Sequence, residues 1–237
     1  MARSIAIVLA ATLPLLHSGG ASAQVQHFAL ESARGLRLHN VSVEPATLQG
    51  KAGIRVTLSD EAARRLKADP NAQAGLEQLA AIENVVFSDG VIEAEIAGEP
   101  APGASETARG FVGIAFRLQD DNRTYDAFYL RPTNGRADDQ ERRNHSTQYI
   151  AHPEWTWFRL RKEAPSKYES YVDLVPGAWT RIRIEVRADR ARLFVHGSEQ
   201  PALVVNDVKS GANAKGAVAL WLGPGTVAHF RNLAIRP

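Results

Sequence analysis

Cysteine is absent from all 237 residues. No disulfide can brace the chain, and no thiolate can serve as nucleophile or metal ligand. The core must be held by burial alone, which roughly 200 residues can supply in one domain. An excess of one charge is also missing: 28 Lys and Arg stand against 26 Asp and Glu. Nucleic-acid binders concentrate a large basic excess on one face, so that partner is excluded. Beyond the first residues no apolar run reaches the ~20 residues of a membrane span. Repeats and low-complexity tracts are lacking, which makes one domain the economical reading.

What is present starts with a leader. Arg3, the apolar run Ile5–Leu16 and the small residues Ala21–Ala23 have the form of a secretory signal. The expectation is an exported protein, periplasmic or secreted, mature from Gln24, with a single domain over 24–237. From residue 36 onward short alternating segments dominate. Leu36, Leu38, Val41 and Val43 alternate, as do Ile54, Val56 and Leu58. Asp60, as a helix N-cap, followed by Ala62, Ala63 and Leu66 predicts a helix that Pro70 stops, and a second short helix fits Gly75–Ala81. A helical insertion is therefore expected at about 60–82. After residue 84, Ile92, Ala94 and Ile96 alternate with Val91, Glu93 and Glu95. Val112, Ile114, Phe116 and Leu118 alternate with Gly113, Ala115 and Arg117. "QDDN" (Gln119–Asn122) closes a hairpin. Many short strands separated by Gly, Pro, Asp and Asn predict an all-β, two-sheet antiparallel sandwich.

The segments "WTRIRIEV" (Trp179–Val186), "ARLFVHG" (Ala191–Gly197), "GAVALW" (Gly216–Trp221) and "AHFRNLAI" (Ala228–Ile235) resemble the concanavalin A-like lectin/glucanase superfamily in its laminin-G-like form. With "GFVGIAFRLQDDNRTYDAFYLRP" (Gly110–Pro132) the likeness is greatest to bacterial exported domains described as 3-keto-disaccharide hydrolases. It spans residues 84–236 and leaves 27–83 poorly matched. The resemblance implies a jelly roll with one concave sheet that binds or cleaves glycans. The laminarinase branch carries Glu-x-Asp-x-x-Glu on one strand, and "VIEAEIAG" (Val91–Gly98) departs from that motif. Glu93 and Glu95 leave one strand face ~6.5 Å apart, a spacing compatible with an inverting glycosidase, but alternating Ile and Glu is what any half-wet strand shows, and that is the reading preferred.

Nine of the 17 aromatics, including every tyrosine, fall between Tyr125 and Tyr171. Tyr and Trp offer a ring face to a sugar and a polar edge to its hydroxyls, while Phe128 and Phe158 are expected in the core. Tyr129 shares a strand face with Arg131 and lies across a hairpin from the face of Gly113, Ala115 and Arg117, which predicts a groove. Between Arg131 and Tyr149 lie four arginines, three acids and one histidine, read as a loop walling that groove. "NHSTQY" then re-enters the sheet with His145, Thr147 and Tyr149 on one face. His145 titrates near neutrality, and His152 is a weaker second choice.

The candidate proton-handling residues are His145, Tyr149, Asp138 and Asp139. The candidates for holding substrate are Arg117, Tyr129, Arg131, Asn134, Arg136, Arg143 and Gln148. No metal-ligand spacing and no cofactor motif is recognised, apart from a calcium alternative at Asp120–Asn122. The expected partner is a carbohydrate. The expected activity is cleavage of a glycosidic bond by hydrolysis, with two alternatives kept: elimination by Tyr, His and Arg, and glycan binding without catalysis. An accessory protein of the envelope is a third, marked by a broad apolar patch.

Overall fold

The computed structural model describes residues 24–69, 71 and 75–237. The expected secretory leader lies outside these residues. Strands β1 (Gln26–Phe28), β2 (Leu36–His39), β3 (Val41–Leu48) and β4 (Lys51–Leu58) precede helix α1 (Asp60–Ala68). Then come β5 (Leu79–Ile82), β6 (Gly90–Pro100), β7 (Val112–Leu118) and β8 (Tyr125–Leu130). Helix α2 (Gln140–Asn144), β9 (Thr147–His152), helix α3 (Trp157–Glu163) and β10 (Glu169–Ser170) follow. The chain closes with β11 (Thr180–Arg187), β12 (Arg190–Val195), β13 (Leu203–Val205), β14 (Ala217–Leu222) and β15 (Thr226–Arg236).

All pairings are antiparallel, and they form two sheets. An eight-stranded sheet runs β13-β12-β11-β6-β15-β4-β3, with β1 added against β15, and a seven-stranded sheet runs β10-β9-β8-β7-β14-β5-β2. This is the two-sheet sandwich that the alternation predicts, in the jelly-roll form that the resemblance implies. Its core is made of the inward residues of each strand. Ile92, Ala94 and Ile96 of β6 and Ile182 and Ile184 of β11 come from one sheet. Val112, Ile114 and Phe116 of β7 with Phe128 and Leu130 of β8 come from the other. Phe116 stacks on Phe128 at 6.2 Å between centroids. Non-directional burial of such side chains supplies the main stabilisation.

Four local expectations are corrected. Ser59, not Asp60, caps α1, its hydroxyl accepting from the Ala62 amide. The second helix is instead β5: Leu79–Ile82 is wholly buried between β14 and β2, and a short apolar run covered on both faces carries no period to identify it. Phe158 is 63% exposed, because α3 turns only Leu160 inward. The segment re-entering at His145 is not yet strand. His145 caps the C-terminus of α2, and β9 begins at Thr147.

Candidate functional site

Pairing across β7 builds the site. Gly113 is opposite Tyr129 of β8 on one side and Trp221 of β14 on the other. Alternate strands lie about 9.6 Å apart, yet these two rings lean together to 4.7 Å between centroids. They can do so because Gly113 has no side chain. An added Cβ would sit 2.2 Å from the Phe128 carbonyl oxygen and 2.6 Å from the Tyr129 Cβ. The rings floor a hollow of about 930 Å³ on the outer face of the seven-stranded sheet. Its walls come from the loop Ser105–Phe111, from Asn134, Asp139, Glu141, Arg142 and His145 around α2, and from Thr156, Trp157 and Arg161 at α3. The residues Gly75–Gln78 and the turn at Pro224–Gly225 complete the rim.

One end of the floor is organised by Glu169. This carboxylate accepts from Arg161 Nε at 2.8 Å and from Arg131 Nη1 at 3.2 Å. His145 Nδ1 lies 2.8 Å from it, off the hydrogen-bond line, and the contact is an ion pair only when the ring is protonated. Burial pushes the Glu169 carboxyl up, but hydrogen bonds from Arg161 and the charges of Arg161, His145 and Arg131 bring it below the usual range. Burial, with help from the charges of Arg161 and Arg131, holds the His145 imidazole below its ordinary value despite Glu169. The ring is therefore neutral near pH 7.

The other end is a second glutamate cluster. Glu77 accepts from the Tyr125 hydroxyl and faces His152 Nδ1 at 2.8 Å. Trp221 Nε1 donates to the Tyr125 oxygen at 2.9 Å. Burial, then the Glu77 charge, pushes the Tyr125 phenol well above its ordinary value, so it keeps its proton, donating to Glu77 while accepting from Trp221. His152 Nε2 has no hydrogen-bond partner among the described residues.

The expected site residues are distributed unevenly. His145, Tyr129, Arg131, Asn134 and Asp139 line the hollow. Arg131 is 5% exposed, and its guanidinium is already engaged by the His145 carbonyl, Glu169, the Tyr129 oxygen and Gln148 Oε1. Gln148 is fully buried beneath it and also bonds the Tyr149 and Tyr168 carbonyls. Asp139 accepts from the Arg142 amide as the cap of α2, and Asp138 is exposed outside the lining. Arg136 forms an exposed two-point pair with Asp173 at 2.7 and 2.8 Å. Arg143 donates to the Tyr171 hydroxyl at 2.9 Å. Neither lines the hollow.

Two expectations are overturned by backbone geometry. Arg117 does not share the groove face. Its φ of +56° breaks the alternation of β7 beside a register shift in β14. The side chain, fully buried, runs to the Ser88, Ala188 and Gly211 carbonyls, the Ser210 hydroxyl and Asp89. Tyr149 also faces away from the hollow. It pairs with Phe128 on the core side of the sheet, donates to Asp126 and accepts from the Lys209 amide. Glu93 and Glu95 lie on the outer face of the other sheet, paired with Arg181, Lys51 and Arg231.

Residues missed from the sequence include Glu77, Glu169, Arg109, Trp157, Arg161 and Trp221, whereas Arg142 lines the hollow from the run read as its wall. Trp157 and Arg161 were findable: Thr156 before "WFRLRKE" is an N-cap signal, and the pair is spaced i, i+4 on α3. Glu77, in a loop, carries no such signal. Among the described residues no group of His, Asp and Glu is placed to hold a metal ion, and no helix is long and apolar enough to cross a membrane.

Neither a protein-family profile nor a curated protein matches this sequence. Its fold is similar to that of the carbohydrate binding module CBM66 from Bacillus subtilis, with a TM-score of 0.51 at 12% identity over 84% of this chain and 97% of that one. It is likewise similar to a Bacillus subtilis protein of unknown function with a galectin-like fold, with a TM-score of 0.55 at 11% identity over 89% and 94%. These likenesses are of fold: the chain has the concanavalin A-like jelly roll.

Proposed function

We propose that this is an exported, single-domain carbohydrate-active enzyme that is mature from Gln24, holds a glycan in the hollow and cleaves a glycosidic bond there. The observation that carries the reading is the composition of that one hollow. The rings of Trp157 and Trp221 stand beside guanidinium groups and two histidines, each backed by a glutamate. Aromatic faces suit the C–H faces of sugars, and guanidinium donors suit their oxygens. The two-carboxylate route of most glycosidases fits less well. Glu169 is held beneath arginines, and Glu77 is engaged by Tyr125 and His152. Proton transfer then falls to the histidines. A neutral imidazole suits β-elimination: it takes the proton beside a sugar carbonyl or carboxylate, a C=C bond forms, the C–O bond breaks, and the leaving oxygen is reprotonated.

A second reading, binding without turnover, is favoured by the same engagement of both carboxylates. A neighbour of the same fold is described as a carbohydrate binding module. A glycan screen followed by an ultraviolet assay for the new double bond and a reducing-end assay separates the two. The enzyme reading expects turnover that His145→Gln or His152→Gln abolishes while binding persists. Binding without turnover, weakened by Trp157→Ala alone, favours the module. Absence of any glycan binding overturns both.

A further inference from the structure

Two guanidinium groups in the hollow have no carboxylate of their own. Arg131 and Arg161 share Glu169, but among the described residues no acid lies within ion-pair distance of Arg109 or Arg142. Arg109 Nη1 donates only to the Glu106 and Ala108 carbonyls, at 2.6 and 3.2 Å. The Arg142 guanidinium makes one long contact, 3.5 Å to Asn134 Oδ1, and its Nε is buried with no partner. The nearby acids are otherwise engaged. Asp139 caps α2, and Glu141, its side chain 84% exposed, lies 3.9 Å from His145 Nε2. The two cations also feel each other: burial and then the charges of Arg142 and Arg131 hold the Arg109 guanidinium below its ordinary value.

We propose that Arg109 and Arg142 form an acid subsite, which reads an anionic substituent on the sugar bound in the hollow. This rests on the carbohydrate reading above and narrows it to acidic glycans. A planar carboxylate can take two parallel bonds from a guanidinium fork, so a uronic acid is the favoured ligand, with a sulfate ester as the other source of the same chemistry. Like charges that feel each other at a half-buried wall are unfavourable until an anion neutralises them. That gain, available only to an acidic ligand, is what produces selectivity.

Calorimetry on the full mature chain tests this. Oligosaccharides of glucuronate, galacturonate and mannuronate are compared with their neutral counterparts and with a sulfated neutral sugar. The expected result is at least a tenfold preference for an acidic ligand in the wild type, which added salt reduces. Arg109→Gln/Arg142→Gln should lose the preference, affinity for the acidic ligand falling to that for the neutral sugar. Preference for the uronate over the sulfated sugar identifies the carboxylate, and the reverse identifies the sulfate ester. Equal affinity for neutral and acidic sugars, or a preference that survives the double substitution, overturns the subsite and leaves the carbohydrate reading intact. If no oligosaccharide binds, the carbohydrate reading fails, and the subsite is judged by melting with sodium glucuronate and with sulfate. A rise in Tm confined to the wild type upholds it; no rise overturns it.

Discussion

The two outer faces of the sandwich use the same residue types to opposite ends. On the eight-stranded sheet, Glu95 pairs with Lys51 at 3.2 Å and Arg231 at 3.4 Å, Glu93 with Arg181 at 3.3 Å, and Arg183 with Glu185 at 2.8 Å. These charges meet opposite ones on the same or a neighbouring strand, partly in solvent, where such pairs contribute little. On the seven-stranded sheet the central strands carry Gly113, Ala115 and Ala127 outward. Side chains from the loops close over them, and charges are buried in clusters or left without a counter-ion. The lesson is that a functional face is not marked by how many charges it has. It is marked by charges that the protein leaves uncompensated inside a walled hollow.

That contrast can be broken most forcefully at Glu169. Glu169→Ala leaves Arg131 and Arg161 without their shared carboxylate at a buried site, so denaturant unfolding should show a loss of about 3–5 kcal/mol. Arg117→Met keeps apolar bulk but leaves the Ser88, Ala188 and Gly211 carbonyls without a donor. A loss of about 2–3 kcal/mol is expected in the same measurement. Gly113→Ala drives a methyl against the Phe128 carbonyl and should part the Tyr129 and Trp221 rings. A loss of about 1–3 kcal/mol is expected, together with a change in tryptophan fluorescence.

The pH response should be smaller and of known sign. Burial foremost holds the imidazoles of His39, His145 and His229 below 6.5. Between the folded and unfolded values the unfolded chain binds more protons, so stability rises with pH. The contribution is complete above about 6.5 and is lost as pH falls toward the folded values. Melting at pH 5 should therefore precede melting at pH 7, and His145→Gln should reduce that difference. Least of all, Glu95→Gln on the other face should change stability by less than about 1 kcal/mol.

The architecture was legible because alternation survives on long strands. Ile92, Ala94 and Ile96 against Glu93 and Glu95, and Val112, Ile114 and Phe116 against Gly113 and Ala115, assigned both faces of β6 and β7. The site was legible only in part. Parity counted from His145 failed at Tyr149 because the chain between Asp139 and His145 is helix and cap, and a strand count cannot be carried across a helix. Arg117 failed for a subtler reason. Arginine at positive φ is uncommon, and nothing in "GIAFRLQ" announces that the alternation stops there. The glutamates that organise both ends of the floor come from distant segments, Glu77 ahead of β5 and Glu169 in β10, and only the tertiary fold brings them beneath the rings.

Arg117 also has a consequence for how this surface can change. Its guanidinium rivets the Ser88–Asp89 segment, the β11–β12 turn and the loop before β14 to the end of β7. The Ser105–Phe111 loop, which brings Arg109 to the rim, takes no part in that fastening. It is a segment that can be grafted or rewritten to alter what the rim recognises, while the joint between the two sheets is left untouched.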